Sequence, residues 1–225
     1  DQKCPGDPGY TAPDADGTEG NGKYDGFWLA GFGNNMPMLG IHDDTWARAV
    51  VLQNGDVTIA IVSVDAVGLF NDDIVKMRTR VGKKTETPPD FIMVSATHSH
   101  ETADTMGQWG PRTGLLPDRG VDDVWFDEVV IEAVAQAVID AQLSLKPAKV
   151  AVAMGQLGAR TREVVADHRD PQVMDDRVYV LKFTEKVSGD VIGTLVNWGS
   201  HPEALSDVNN HSSSDFPWAI REAME

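Results

Sequence analysis

An α/β fold, layered in the α+β manner with mixed β-sheets flanked by helices, is what the sequence predicts. Three observations predict it. Six short apolar runs read as strands, two of the gaps between them carry hairpin-turn residues, and two amphipathic helical segments lie among the strands. The composition is that of a folded chain, 41% hydrophobic and 24% charged over 225 residues, and the length suits one large domain.

Residues 1–24 are rich in Gly, Pro and Asp and lack apolar periodicity, which predicts an irregular, solvated N-terminal arm. Cys4 lies in that arm; a lone cysteine makes no internal disulfide and reads as incidental. Residues 25–225 read as the folded part. Ala47–Leu52 and Thr58–Val64 flank Asn54-Gly55, a strong hairpin signal. Asp72–Val81 is a short amphipathic helix, and Phe91–Ala96 a strand after the Pro88-Pro89 breaker. Asp122–Leu145 is a longer helix with acidic residues at its start, where the helix dipole favours them, and with Phe126, Val130, Val134 and Val138 on one face. Lys149–Met154, Val178–Phe183 and Val191–Val196 are strands, the last two joined across Ser188-Gly189-Asp190. Ser212-Ser213-Ser214-Asp215 supply capping residues for a helix over Trp218–Glu225. The sequence stops about two turns into that helix, which predicts that it is cut from a larger protein; the resemblance given below implies that residues 25–225 are the N-terminal part of a larger catalytic domain.

Nineteen basic against 35 acidic residues give a net charge of −16. Such a surface repels phosphate backbones and gains nothing from anionic lipid, so nucleic-acid binding is disfavoured. No apolar run approaches the roughly 20 residues of a membrane-spanning helix.

The chemistry concentrates where three apolar strands end. Ile61-Val62-Ser63-Val64 runs into Asp65, Ile92–Thr97 into His98-Ser99-His100-Glu101, and Leu195–Ser200 into His201-Pro202-Glu203. Ligands in layered α/β proteins bind beyond the carboxyl ends of strands, so one sheet ending in these residues would gather them around one crevice. Residues two apart on an extended strand share a face, which would turn both His98 and His100 into one pocket and Thr97 and Ser99 away from it. Two imidazoles plus an oxygen ligand suit Zn²⁺, which lowers the pKa of its water toward about 7. Asp65 reads either as a ligand or as a partner orienting an imidazole. His42 lies in a polar loop, His168 in a charged one, and His211 in an Asn/Ser-rich one that makes it a cap or a pocket wall.

These residues resemble the neutral/alkaline, non-lysosomal ceramidases. The resemblance rests, in order, on Gly40-Ile41-His42 with Trp46-Ala47-Arg48-Ala49, on Val64-Asp65, on Ser95-Ala96-Thr97-His98-Ser99-His100, and on Asn197-Trp198-Gly199-Ser200-His201. Arg160-Thr161-Arg162, leading to Asp170-Pro171 and Val180-Leu181-Lys182-Phe183, is a weaker fifth feature. The resemblance implies a zinc amidase that hydrolyses the N-acyl bond of ceramide to a sphingoid base and a fatty acid. It implies that His98 and His201 bind zinc, that His100 assists the chemistry beside the metal, and that His42 and Arg162, with Arg160 as the alternative arginine, line the substrate pocket. It also implies further ligands, a Glu and a Tyr, from later sequence, and a secreted or periplasmic bacterial setting, with which the single cysteine agrees.

The sequence departs from the family pattern at Glu101-Thr102-Ala103-Asp104 and at Pro202-Glu203-Ala204-Leu205. Glu101 and Glu203 would add negative charge to the pocket and suit a cationic or polar amide. The alternatives are therefore a metal hydrolase of a different amide or ester, or a non-catalytic surface binding module. The expected partner is a small-molecule or lipid amide, with peripheral membrane contact left open.

Overall fold

The computed structural model describes residue 24, residues 26–110 and residues 120–224, so Cys4 and the predicted arm other than Tyr24 lie outside it. After β1 (Gly40–Ile41), β2 (Ala47–Asn54) and β3 (Val57–Val64) form an antiparallel hairpin. Asn54 still pairs with Val57, so the turn is Gly55-Asp56, one residue later than Asn54-Gly55 suggests. Gly55 sits at φ 57°, a left-handed conformation that glycine adopts without a Cβ clash. Helix α1 (Asn71–Lys84) then crosses over to β4 (Ile92–Ala96), which pairs parallel with β3 and completes a sheet of order β2-β3-β4. The Asp73 carboxylate accepts the Phe70 N–H at 3.2 Å and starts α1.

The predicted long helix has three parts. The first turn, α2 (Asp123–Trp125), runs through a π-helical turn at Phe126–Val130 into α3 (Ile131–Leu143). Asp122 caps it, its carboxylate accepting the Trp125 N–H at 2.8 Å. Strict four-residue spacing would bury Phe126, Val130, Val134 and Val138. The buried set is instead Phe126, Ile131, Val134, Ala135 and Val138. The wide turn inserts one residue, so Ile131 takes the inward place and Val130 moves to the flank.

One face of the first sheet carries the core. Ala60, Val62 and Val64 alternate inward along β3, Met77 and Val81 point in from α1, and α3 lies across β2 and β3 with α1 beside it. Full burial of each such Val, Ile or Phe side chain contributes about 1.5–3 kcal/mol.

A second, antiparallel sheet follows, of order β5-β6-β7: β5 (Ala148–Gln156), β6 (Arg177–Glu185) and β7 (Val191–Trp198), with the short helix α4 (Thr161–Val164) between β5 and β6. Every residue of the edge strand β5 is exposed, and Val150, Val152 and Met154 lie on one face of it. Strand β8 (His211–Ser212) pairs parallel with β1, and α5 (Phe216–Met224) closes the described chain, starting two residues before the expected Trp218. The fold is thus a mixed α/β one with several sheets and flanking helices, as expected, but the strands do not end on one shared sheet. No helix among the described residues is long and apolar enough to cross a membrane.

Candidate metal centre

His98 and His100 leave the first sheet, and His201 leaves the second. Beyond β4, Thr97 N–H donates to Val64 O at 2.9 Å and His98 N–H to Ala66 O at 3.0 Å, so the chain follows the end of β3 outward. His98 then adopts φ 66°, a left-handed conformation uncommon for any residue but glycine. The two histidines therefore do not share a face by strand alternation, yet their rings converge: Nε2 of His98 and Nε2 of His100 are 3.4 Å apart. The His201 Nε2 is 2.8 Å from the His100 Nε2, and the His98 and His201 rings stack with centroids 4.7 Å apart. A backbone bond from His100 N–H to Pro202 O, 3.1 Å long, ties the two loops together.

Each ring is oriented by something else. Nδ1 of His98 donates to the Val67 carbonyl. Nδ1 of His201 lies 2.7 Å from Glu203 Oε1. Val67 thus leaves His98 Nε2 as a lone pair, so His100 Nε2 carries the proton between those two rings and His201 Nε2 faces it as the acceptor. His100 Nε2–H is then the donor in its contact with His201. No hydrogen bond reaches His100 Nδ1 among the described residues; its ring is enclosed by Phe32, Trp109 and the backbone of Gly31. A Cβ on Gly31 would stand 2.2 Å from His100 Nδ1, and Gly31 has φ 123°, so only glycine fits there. Trp109 is held in turn by buried Asp104, whose carboxylate accepts the N–H groups of Met106, Trp109 and Gly110 at 3.1, 2.8 and 3.0 Å. Burial, reinforced by His201 and His98 nearby, lowers the His100 pKa below the ordinary imidazole value, against a smaller upward pull from Glu203.

The donor set fits a divalent ion. The three side chains offer ligand atoms within 4.8 Å of one another.

Asp65 needs correction. It is neither a ligand nor the partner of an imidazole. The Arg221 guanidinium grips both its oxygens at 2.6 Å, and Oδ2 also accepts the Trp46 N–H at 2.9 Å. The imidazole-orienting role falls to Val67 O and Glu203. Ser99 does turn away from the cluster, as expected, donating to Ser213 O at 3.1 Å.

The structure does not bring His42 or Arg162 into contact with the three imidazoles. His42 pairs with Asp43 at 2.8 Å and faces Trp218, while Arg162 donates to Gln172 Oε1 at 3.1 Å. Arg160 pairs loosely with Glu163, His168 is exposed, and the His211 ring packs on Gly40.

Glu101 does not add charge to an open pocket either. It is 1% exposed, with Oε2 accepting from Asn209 and Oε1 lacking a partner. Burial raises its pKa from 4.5 to about 7, with Asp215 adding to the rise and Asn209 opposing it. A carboxyl with a raised folded-state pKa contributes stability below its unfolded pKa and loses it as pH climbs through the folded value. Glu101→Gln is therefore expected to match the wild type at pH 4.5 and exceed it by up to about 3 kcal/mol at pH 8. Urea denaturation of the metal-free protein at both pH values reads this; an advantage independent of pH would refute it.

Comparison with known proteins places this geometry. No family model matches the sequence, and no curated protein sequence does either. Solved structures do. The crystal structure of neutral ceramidase from Pseudomonas aeruginosa superposes with a TM-score of 0.67 at 19% identity, and a ceramidase complexed with C2 with 0.66 at 20%. The chain has the fold of part of neutral ceramidase. In both cases 84% of this chain is covered, but the chain spans only 31% of the ceramidase.

The residues that sequence reasoning missed are those around the imidazoles. Gly31, Phe32, Asp104 and Trp109 come from loops without periodicity, and nothing in the sequence links them to His100. Glu203 was visible two residues after His201, but as a pocket charge rather than as the partner of that ring.

Proposed function

We propose that this chain is the N-terminal part of the catalytic domain of a zinc-dependent amide hydrolase resembling neutral ceramidase, which cleaves the N-acyl bond of ceramide to a sphingoid base and a fatty acid. The observation that carries the reading is the convergence of three imidazole Nε2 atoms from two separate sheets, on a fold shared with ceramidase. Bound zinc would polarise the amide carbonyl and acidify water.

His98 and His201 would hold it, since the Val67 carbonyl takes the Nδ1 proton of His98, Glu203 stands beside Nδ1 of His201, and both rings turn Nε2 to the cluster. His100 has the other task. Kept neutral by burial and by its neighbours, it presents an Nε2–H that can donate to the developing oxyanion, then pass its proton to the leaving amine. Substrate contacts by His42 and Arg162 belong to the same proposal and rest on the family resemblance alone. A lipid or small-molecule amide substrate, and export from a bacterial cell, go with it.

The bare apolar face of β5 supports the reading that further polypeptide of the same domain packs here. The ceramidase structures, of which this chain spans 31%, are long enough to supply it.

The test uses the full-length protein: zinc content, and release of fatty acid from ceramide and from a panel of N-acyl amines and esters, with and without chelator. Chelator-sensitive cleavage of ceramide is expected. A zinc-loaded protein that cleaves no member of the panel overturns the reading, and one that prefers another amide or ester moves the substrate.

A further inference from the structure

We propose that Glu203 is a positioning residue for His201, holding its imidazole as the Nδ1–H tautomer with Nε2 turned to the metal. The inference rests on the metal reading of this site and names a residue at which the sequence departs from the ceramidase pattern.

The geometry carries it in three steps. First, Glu203 Oε1 lies 2.7 Å from His201 Nδ1, an ion-pair contact beside that nitrogen. His201 Nε2 accepts from His100 at 2.8 Å, so Nδ1 bears the proton and turns it toward the carboxylate. Second, the backbone fixes the pair. Glu203 N–H donates to His201 O at 3.1 Å, buried Pro202 accepts from His100 N–H at 3.1 Å, and Leu205 N–H is held by Asp215 at 2.9 Å. The turn thus delivers the carboxylate to its own histidine and ties both to the His100 loop. Third, the pair has little else to do. Its side chains are 44% and 41% exposed, and an ion pair so exposed contributes almost nothing to folding. Orientation of the exposed His201 ring, beside its contacts with His98 and His100, is the remaining role.

His98 shows the contrast. Its Nδ1 donates to a backbone carbonyl, Val67 O, which no side-chain substitution removes. Only His201 depends on a replaceable partner.

The experiment compares Glu203→Ala, Glu203→Gln and His201→Ala with the wild type in the full-length protein. Zinc affinity is read by competition with a chromogenic chelator, the His201 tautomer by imidazole ¹⁵N shifts of the metal-free protein, and folding by thermal denaturation. Glu203→Ala is expected to lose about 10–100-fold in zinc affinity, to lose the Nδ1–H tautomer signature and to melt as the wild type does. Glu203→Gln, whose amide oxygen still accepts from Nδ1–H, is expected to restore most of both. Wild-type zinc affinity and tautomer in Glu203→Ala overturn the proposal, as does a loss that tracks a lowered melting temperature. Loss in His201→Ala without loss in Glu203→Ala removes this role while leaving the metal reading standing; no zinc binding by the wild type removes both.

Discussion

Asparagine at His98 is expected to lower zinc affinity by at least about 100-fold and N-acyl hydrolysis by at least about 1,000-fold, with little change in stability. The expected loss follows from geometry. His98 donates its Nδ1–H to a backbone carbonyl and turns Nε2 to the shared point, so removing it takes away a proposed ligand that no neighbour replaces. Asparagine is chosen over alanine because of φ 66° at this position. Asparagine is enriched in the left-handed region, so the backbone turn survives while the imidazole goes. The side chain is solvent-exposed, so no core packing is lost. Isothermal titration with zinc, steady-state release of fatty acid and thermal denaturation read the three quantities separately. A variant that keeps both zinc and turnover would show that the convergent imidazoles are not the catalytic centre.

The sequence made part of this legible and hid the rest for identifiable reasons. β2, β3, β4, β6 and β7 lie where apolar runs and turn residues put them, because alternation and hairpin chemistry are local signals. In the long helix Phe126, Val134 and Val138 are buried as their spacing predicts, but the shift from Val130 to Ile131 was not legible. A π turn at Phe126–Val130 is a one-residue irregularity that average periodicity smooths over. Histidines at strand ends marked the site, but the reason for their convergence was misplaced. They meet because His98 turns left-handed and because two separate sheets bring their ends together, not because one strand alternates. Asp65 shows the same limit from the other side. Its place at a strand end looked like chemistry, while its partner Arg221 lies 156 residues further on, a separation no local pattern spans.

That pair is where the largest effect on stability is expected. Arg221→Met should cost about 3–5 kcal/mol, because it strands the Asp65 carboxylate, whose side chain is 0% exposed, with one backbone N–H for company. Desolvating two charges is itself costly, so the pair need not be more favourable than an apolar replacement; breaking it is what exposes the penalty. The double variant Asp65→Asn with Arg221→Met is therefore expected to recover much of the loss, since asparagine carries no charge and its side-chain oxygen can still accept the Trp46 N–H. The consequence should reach the candidate metal centre. α5 holds the end of β3 through Arg221 and touches the end of β7 through Phe216, whose ring lies 5.1 Å from that of Trp198. These are the two sheets that supply His98 and His100 on one side and His201 on the other. Loosening α5 should let those ends drift and weaken zinc binding, although no ligand has been touched. Urea denaturation of the two variants, with zinc titration of each, measures both effects. A single Arg221→Met substitution that costs under 1 kcal/mol would mean that the buried carboxylate finds another partner or water, and that α5 does not clamp the two sheets together.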